Sequence, residues 1–179
     1  MLFDKLPPSW RPEDKVIDKK TTWPVQYSHE FDEFYGEPGT QLVRLTLPYT
    51  LQLSWEPYQK IKTILCHSKV RDSLGEVLEE VLKHYGGEEI KRLRLNRFGG
   101  CFNKRKIRGG QRWSMHSWGI ALDFDPSRNK LRWGRDKASL AKPEYDEWWK
   151  IWEEHGWVSL GRERNFDWMH VQAARLNES

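Results

Sequence analysis

The chain has 179 residues, 37% hydrophobic and 31% charged, with a net charge of +4 and eleven tryptophans. That length suits a single ordinary domain whose core needs no disulfide staples, and no stretch approaches the ~20 apolar residues of a membrane span. Lys and Arg (30) are spread among Asp and Glu (26) and form no block, so the pull toward anionic partners is mild.

The opening MLFDKLPPSWRPEDK lacks the basic start and apolar run of a secretory signal. A protein made in the cytoplasm is expected, and any work outside it needs another route of export or release. Cys66 and Cys101 are far apart and lack C-x-x-C spacing. They read as buried reduced thiols.

Residues 1 to about 40 are rich in Pro, charge and aromatics, including Pro7, Pro8, Trp10, Pro12, Trp23 and Pro24. Without helical or strand periodicity they read as an extended arm pinned to the body by its aromatics. Gln41 to Trp55 alternates apolar and polar residues on both sides of Pro48, as a strand pair or a bent strand would.

Leu74, Val77, Leu78, Val81, Leu82 and Tyr85 then mark a core-facing helix, with Asp72 or Ser73 able to cap it and Gly86-Gly87 stopping it. Ile90 to Phe98 reads as a strand ending at Gly99-Gly100, where the backbone can approach a neighbour closely. Phe102 to Trp113 is a basic, glycine-bearing loop, and Gly119 to Asp125 alternates into a strand.

Pro143 opens a second helix, with Tyr145, Trp148, Trp149 and Trp152 on one core-facing side and Gly156 at its end. Trp157 to Leu160 and Phe166 to Val171 are the last strand candidates. This irregular order predicts an α+β fold with a small, mostly antiparallel sheet flanked by helices. An N-terminal arm and strand region over 1–60 is expected to pack on a catalytic domain over 61–179.

Two segments carry the chemistry: Ser114-Met-His-Ser-Trp-Gly-Ile-Ala-Leu-Asp123 and Asp167-Trp-Met-His170. Together they hold two imidazoles and two carboxylates, the inventory of a catalytic zinc site: three ligands, an open position for water, and a base. His116 precedes a strand that carries Asp123 back beside it, with the small Gly119 and Ala121 leaving room between. His170 is the natural third ligand. Asp167, three residues earlier, reaches the same place only across a turn at 167 to 169.

These paired motifs resemble the signature S-x-H-x-x-G-x-A-x-D with (D/E)-x-x-H of zinc peptidases of bacterial cell-wall metabolism. That group includes D-alanyl-D-alanine carboxypeptidases, D,D-dipeptidases and phage L-alanyl-D-glutamate endolysins, which share a fold with the Hedgehog signalling domain. The resemblance covers roughly residues 70 to 175. It implies zinc held by His116, Asp123 and His170, Asp167 as general base, and an upstream arginine, Arg105 in preference to Arg108, steadying the oxyanion. It further implies hydrolysis of an amide in peptidoglycan stem peptides. The aspartate in place of glutamate as base is closer to the endolysin branch.

Ser114, Trp118, Arg108 and Trp168 are the candidate substrate contacts, and Trp113 also flanks the ligands. Asp125 reads either as an orienting partner of a ligand histidine or as a turn residue before Pro126. His29, His67, His84 and His155 read as solvated or core residues. The competing readings are a carboxypeptidase or dipeptidase, a zinc-bearing binding module without catalysis, and, from the basic loop at 104 to 112 alone, a nucleic-acid binder. A monomer with no nucleic-acid partner is expected.

Overall fold

A computed structural model describes residues 23–177. The part of the arm that holds Pro7, Pro8, Trp10 and Pro12 lies outside the described residues.

The arm contains a helix where none was expected, α1 (His29–Tyr35). Ser28 starts it, its Oγ accepting from the Phe31 N–H at 3.1 Å, and Gly36 (φ 73°) ends it. Seven residues are too few to display a period, yet Phe31 and Tyr35, one turn apart, are both fully buried.

One strand, β1 (Leu42–Leu53), runs through Pro48. Its register against antiparallel β2 (Lys60–His67) shifts between Thr46 and Leu51, where proline has no N–H to give the ladder. The bent-strand reading is the one the fold adopts. The expected boundary at residue 60 falls inside this hairpin.

Helix α2 (Arg71–Arg92) buries Leu74, Val77, Leu78 and Val81. Ser73 does not cap it; its Oγ accepts from Trp157 Nε1 at 2.9 Å, and the helix starts at Val70 with no side-chain cap. Gly86 (φ 74°, ψ 164°) kinks the helix instead of ending it. The chain resumes helical turns to Arg92, which buries Ile90 and Leu93 at i, i+3 spacing. The strand expected from Ile90 therefore begins only at Arg97, as β3 (Arg97–Gly100).

The remaining elements are β4 (Ala121–Phe124), α3 (Asp146–Glu154), β5 (Val158–Ser159), α4 (Leu160–Arg164) and β6 (His170–Gln172). They complete a six-stranded sheet ordered β2-β1-β3-β4-β6-β5. Only β1 with β3 is parallel; the other four pairings are antiparallel. The molecule is α+β, as the element order predicts.

Behind the sheet, α3 buries Trp148, Trp149 and Trp152, and Phe124 of β4 meets Trp148 edge-on at 5.0 Å. The predicted aromatic core is thus pressed against the strand that carries Asp123. Such edge-to-face pairs contribute about 0.5–1.5 kcal/mol each beyond area burial. Both cysteines are buried and free.

Candidate metal centre

His116 rides on a single 3-10 turn, Met115–Trp118. Ser114 caps that turn, its Oγ accepting from the His116 N–H at 3.3 Å, and Gly119 closes it in the left-handed region at φ 72°. Gly119 was expected to leave room for metal and substrate, but it faces the other way. A Cβ there would lie 3.0 Å from His67 N and 3.1 Å from Cys66 Cα, so glycine serves the close approach of this turn to β2.

Beyond Gly119 the chain enters β4, where Asp123 stands directly opposite His170 of β6. Cross-strand partners share one face of a sheet, so carboxylate and imidazole meet by register alone. Gly99 on β3 keeps this face close-packed, since a Cβ there would lie 3.0 Å from the Asp123 Cβ. The turn predicted before His170 is present: Asp167 has φ 53°, and the His170 N–H donates to its carbonyl at 3.0 Å.

The result is a tight cluster. His116 Nε2 lies 3.2 Å from Asp123 Oδ2, His170 Nδ1 lies 3.3 Å from Asp123 Oδ1, and Asp167 Oδ2 is 3.9 Å from His170 Nδ1. One ligand atom from each of His116, Asp123 and His170 falls within 4.8 Å of the others. His29, His67, His84 and His155 do not join this group.

The hydrogen bonds on the outer side of each ring decide what the inner side offers. His116 Nδ1 faces the Cys101 carbonyl at 2.8 Å, and a carbonyl only accepts, so the proton is on Nδ1 and Nε2 points inward bare. His170 Nε2 likewise donates to Gln172 Oε1 at 2.8 Å, leaving Nδ1 inward. Two nitrogen lone pairs thus converge on a carboxylate whose Oδ1 is buried with no hydrogen-bond partner. Such a set repels itself unless a positive charge sits among its members, and two imidazoles with one carboxylate fit a divalent ion of the zinc type.

A proton on a ring can supply that charge as a metal ion would, and the titration behaviour reflects it. Burial pushes the Asp123 carboxyl up, but positive charge on His116, then on His170, outweighs it and holds the pKa below the usual carboxylate value. Burial lowers His170, but the adjacent Asp123 carboxylate outweighs it and raises the ring above its ordinary value. Asp167 moves the other way, above its ordinary value, chiefly through burial.

The centre opens into a cleft of about 1100 Å³. Ser114, Arg105 and Arg108 line it, and so do Tyr27, Arg132, Arg164 and Phe166 from other segments. Arg105 is the arginine whose charge is felt at Asp167. Its backbone is pinned by Ser117, whose Oγ donates to the Arg105 carbonyl at 2.9 Å and accepts from its N–H at 3.1 Å.

Trp118 and Trp168, expected as substrate contacts, lie in the core instead. Trp118 meets Phe31 edge-on at 4.9 Å and donates to the Gly36 carbonyl at 2.9 Å. Trp168 lies against Gly161 and donates to Asn165 Oδ1 at 3.2 Å. Large apolar rings beside the ligands are more stable under the sheet than in a wet cleft. Trp113 stays partly exposed, with Lys106 Nζ 3.7 Å from its ring centre.

Asp125 orients neither histidine; it grips Arg94 with two bonds of 2.8 and 2.9 Å and ties the end of β4 to the end of α2. Sequence reading missed Gln172 and the Cys101 carbonyl. Gln172 was findable, since it follows His170 by two residues and so shares its strand face.

Residues 108–173 match a family model described as D-alanyl-D-alanine carboxypeptidase. The resemblance to that peptidase family is borne out over this segment. The matched segment holds all three candidate ligands and Asp167, while Arg105 and the N-terminal strands lie outside it. No curated protein sequence and no solved structure matches the chain.

Proposed function

We propose that the protein is a zinc peptidase that hydrolyses an amide bond in peptidoglycan stem peptides, acting as an endopeptidase of the L-alanyl-D-glutamate endolysin type. One observation carries this reading: His116 and His170 converge on the Asp123 carboxylate with Asp167 beside them, all four lining one cleft. A purely structural zinc fills its fourth position with protein and has no use for a buried acid beside it, which disfavours a non-catalytic binding module.

Zinc, held by His116, Asp123 and His170, would supply acidification of a water and polarisation of the scissile carbonyl. Asp167 takes the proton of the attacking water and returns it to the leaving amine. Its burial suits that task, because a raised carboxyl pKa brings the group nearer the pH at which proton transfer runs both ways. Arg105, which lines the cleft and whose charge reaches Asp167, would pair with negative charge developing on the carbonyl oxygen.

The endopeptidase reading rests on the aspartate base, which resembles the endolysin branch, and the cleft of roughly 1100 Å³ gives a peptide substrate room to bind. Arg105, Lys106, Arg108, Arg132 and Arg164 face this space, against the carboxylates of Asp123 and Asp167. That excess of positive charge suits a peptide bearing free carboxylates. The protein would reach its substrate at the wall after release or export.

Digestion of purified peptidoglycan, followed by mass spectrometry of the fragments, tests the proposal. New internal amine termini, lost on chelation and restored by zinc, are expected. Release of a single terminal D-alanine would replace the endopeptidase by a carboxypeptidase, and intact walls beside a zinc-loaded protein would leave only a binding module.

A further inference from the structure

Resting on the zinc-peptidase reading, we propose that Gln26, from the N-terminal segment outside the family match, is a positioning residue for His170, acting through Gln172. A glutamine amide can present oxygen or nitrogen to a neighbouring histidine, and the choice dictates which ring nitrogen carries the proton. Gln172 is almost fully buried, so its orientation has to be fixed by protein groups.

Those groups form a chain of donors and acceptors that can be read in one direction only. Asn177 Nδ2 lies 3.0 Å from the Gln26 backbone carbonyl, which can only accept, so the Asn177 amino group faces that way. The other end of the same amide, Oδ1, then accepts from Gln26 Nε2 at 2.9 Å. Gln26 must therefore turn its Oε1 toward Gln172 Nε2, 2.9 Å away.

Gln172 Nε2 also reaches the Ala174 carbonyl at 3.1 Å, a second fixed acceptor. With its amino group so engaged, Gln172 offers only oxygen to His170, and the ring must place its hydrogen on Nε2. Nδ1 is thereby left as the bare nitrogen toward Asp123. Three side-chain amides, each forced by the one before, thus convert two backbone carbonyls into a choice of histidine tautomer.

The segments that supply the relay are themselves anchored. Gln26 N donates to the Arg175 carbonyl at 2.8 Å, Arg175 N donates to the Pro24 carbonyl at 2.9 Å, and Arg164 Nη2 holds the Asn177 carbonyl at 2.8 Å. Gln26 and Asn177 are also members of the cleft wall. The N-terminal segment is accordingly part of the metal centre and more than a covering for it.

The test measures zinc affinity by competition with a chromophoric chelator, on the full chain, alongside the thermal midpoint of the metal-free protein. Partners that orient a metal-bound histidine commonly account for 10- to 100-fold in affinity, so Gln172→Leu should weaken zinc binding by about that factor and Gln26→Leu by about tenfold. Gln26→Glu, which keeps an acceptor for Gln172, should bind zinc at least as well as wild type. Asn177→Ala, at an exposed position with little bearing on folding, should weaken binding less than Gln26→Leu.

A Gln26→Leu protein with a lowered midpoint but unchanged zinc affinity would make the residue merely structural and overturn the proposal. So would a Gln26→Glu protein as impaired as the leucine variant. A wild-type chain with no zinc affinity would instead remove the peptidase reading, and the relay with it.

Discussion

Two buried histidine sites in this molecule show how surroundings separate structure from chemistry. At the junction of β2 and α2, His67 has both ring nitrogens satisfied: Nε2 donates to the Tyr35 carbonyl at 2.8 Å, and Nδ1 accepts from Lys69 N at 3.1 Å. At the β4 and β6 edge, His116 and His170 each satisfy only the outer nitrogen and turn the other toward a carboxylate. Burial alone does not distinguish them, for His67 is the most enclosed of the three. What differs is whether the second nitrogen has a partner made of protein.

That contrast is open to direct attack. The largest effect should come from His116→Ala or Asp123→Ala, which remove a proposed zinc ligand: zinc content by elemental analysis and amide hydrolysis should both fall to background. His67→Gln should leave both intact. Asp167→Ala comes next, retaining zinc while lowering the hydrolytic rate on the order of 10²–10⁴-fold, the range of a lost acid-base group. Full activity in that variant would remove Asp167 from the mechanism.

Arg105→Ala should lower kcat by about 10²-fold, as loss of one oxyanion donor does, whereas Arg108→Ala should act on KM. The reverse pattern would exchange their roles. Gly119→Ala should destabilise the fold by about 1–3 kcal/mol, because it forces a side chain into left-handed backbone and against His67 N. Urea unfolding measures it.

The smallest effect concerns His67 itself. Burial, only partly offset by the bond to the Tyr35 carbonyl and reinforced by the nearby Lys69 charge, holds its pKa below the ordinary value. The unfolded chain therefore takes up a proton near pH ~6.5 that the folded chain resists. The contribution of His67 is complete above that pH and shrinks as the solution is acidified below it. His67→Gln should flatten that part of the stability curve, and parallel curves for the two proteins would contradict the neutral-ring assignment.

The clustering of His116, Asp123 and His170 and the turn at Asp167 were legible because chemistry and spacing constrain them locally. Four residues of the right kinds, seven and three positions apart within their segments, leave few arrangements. The aromatic helix was legible for a similar reason, since Trp148, Trp149 and Trp152 repeat at helical spacing. Less readable were features decided by distant chain. Gly86 kinks α2 where a stop was expected, because Ile90 and Leu93 still find core to bury against. Trp118 and Trp168 are adjacent to the ligands in sequence, but their side chains leave the cleft for partners at Phe31 and Gly161. The pairing of Gln172 with Gln26 spans 146 positions, beyond any local pattern.

Val25 pairs in parallel with Arg175, so stretches from opposite ends of the described chain lie side by side at the cleft. Contacts of such sequence separation form late, because a long loop must close before they return any stabilisation. During synthesis, the part of the cleft wall that Gln26 and Asn177 share is assembled only once the segment around Arg175 has emerged.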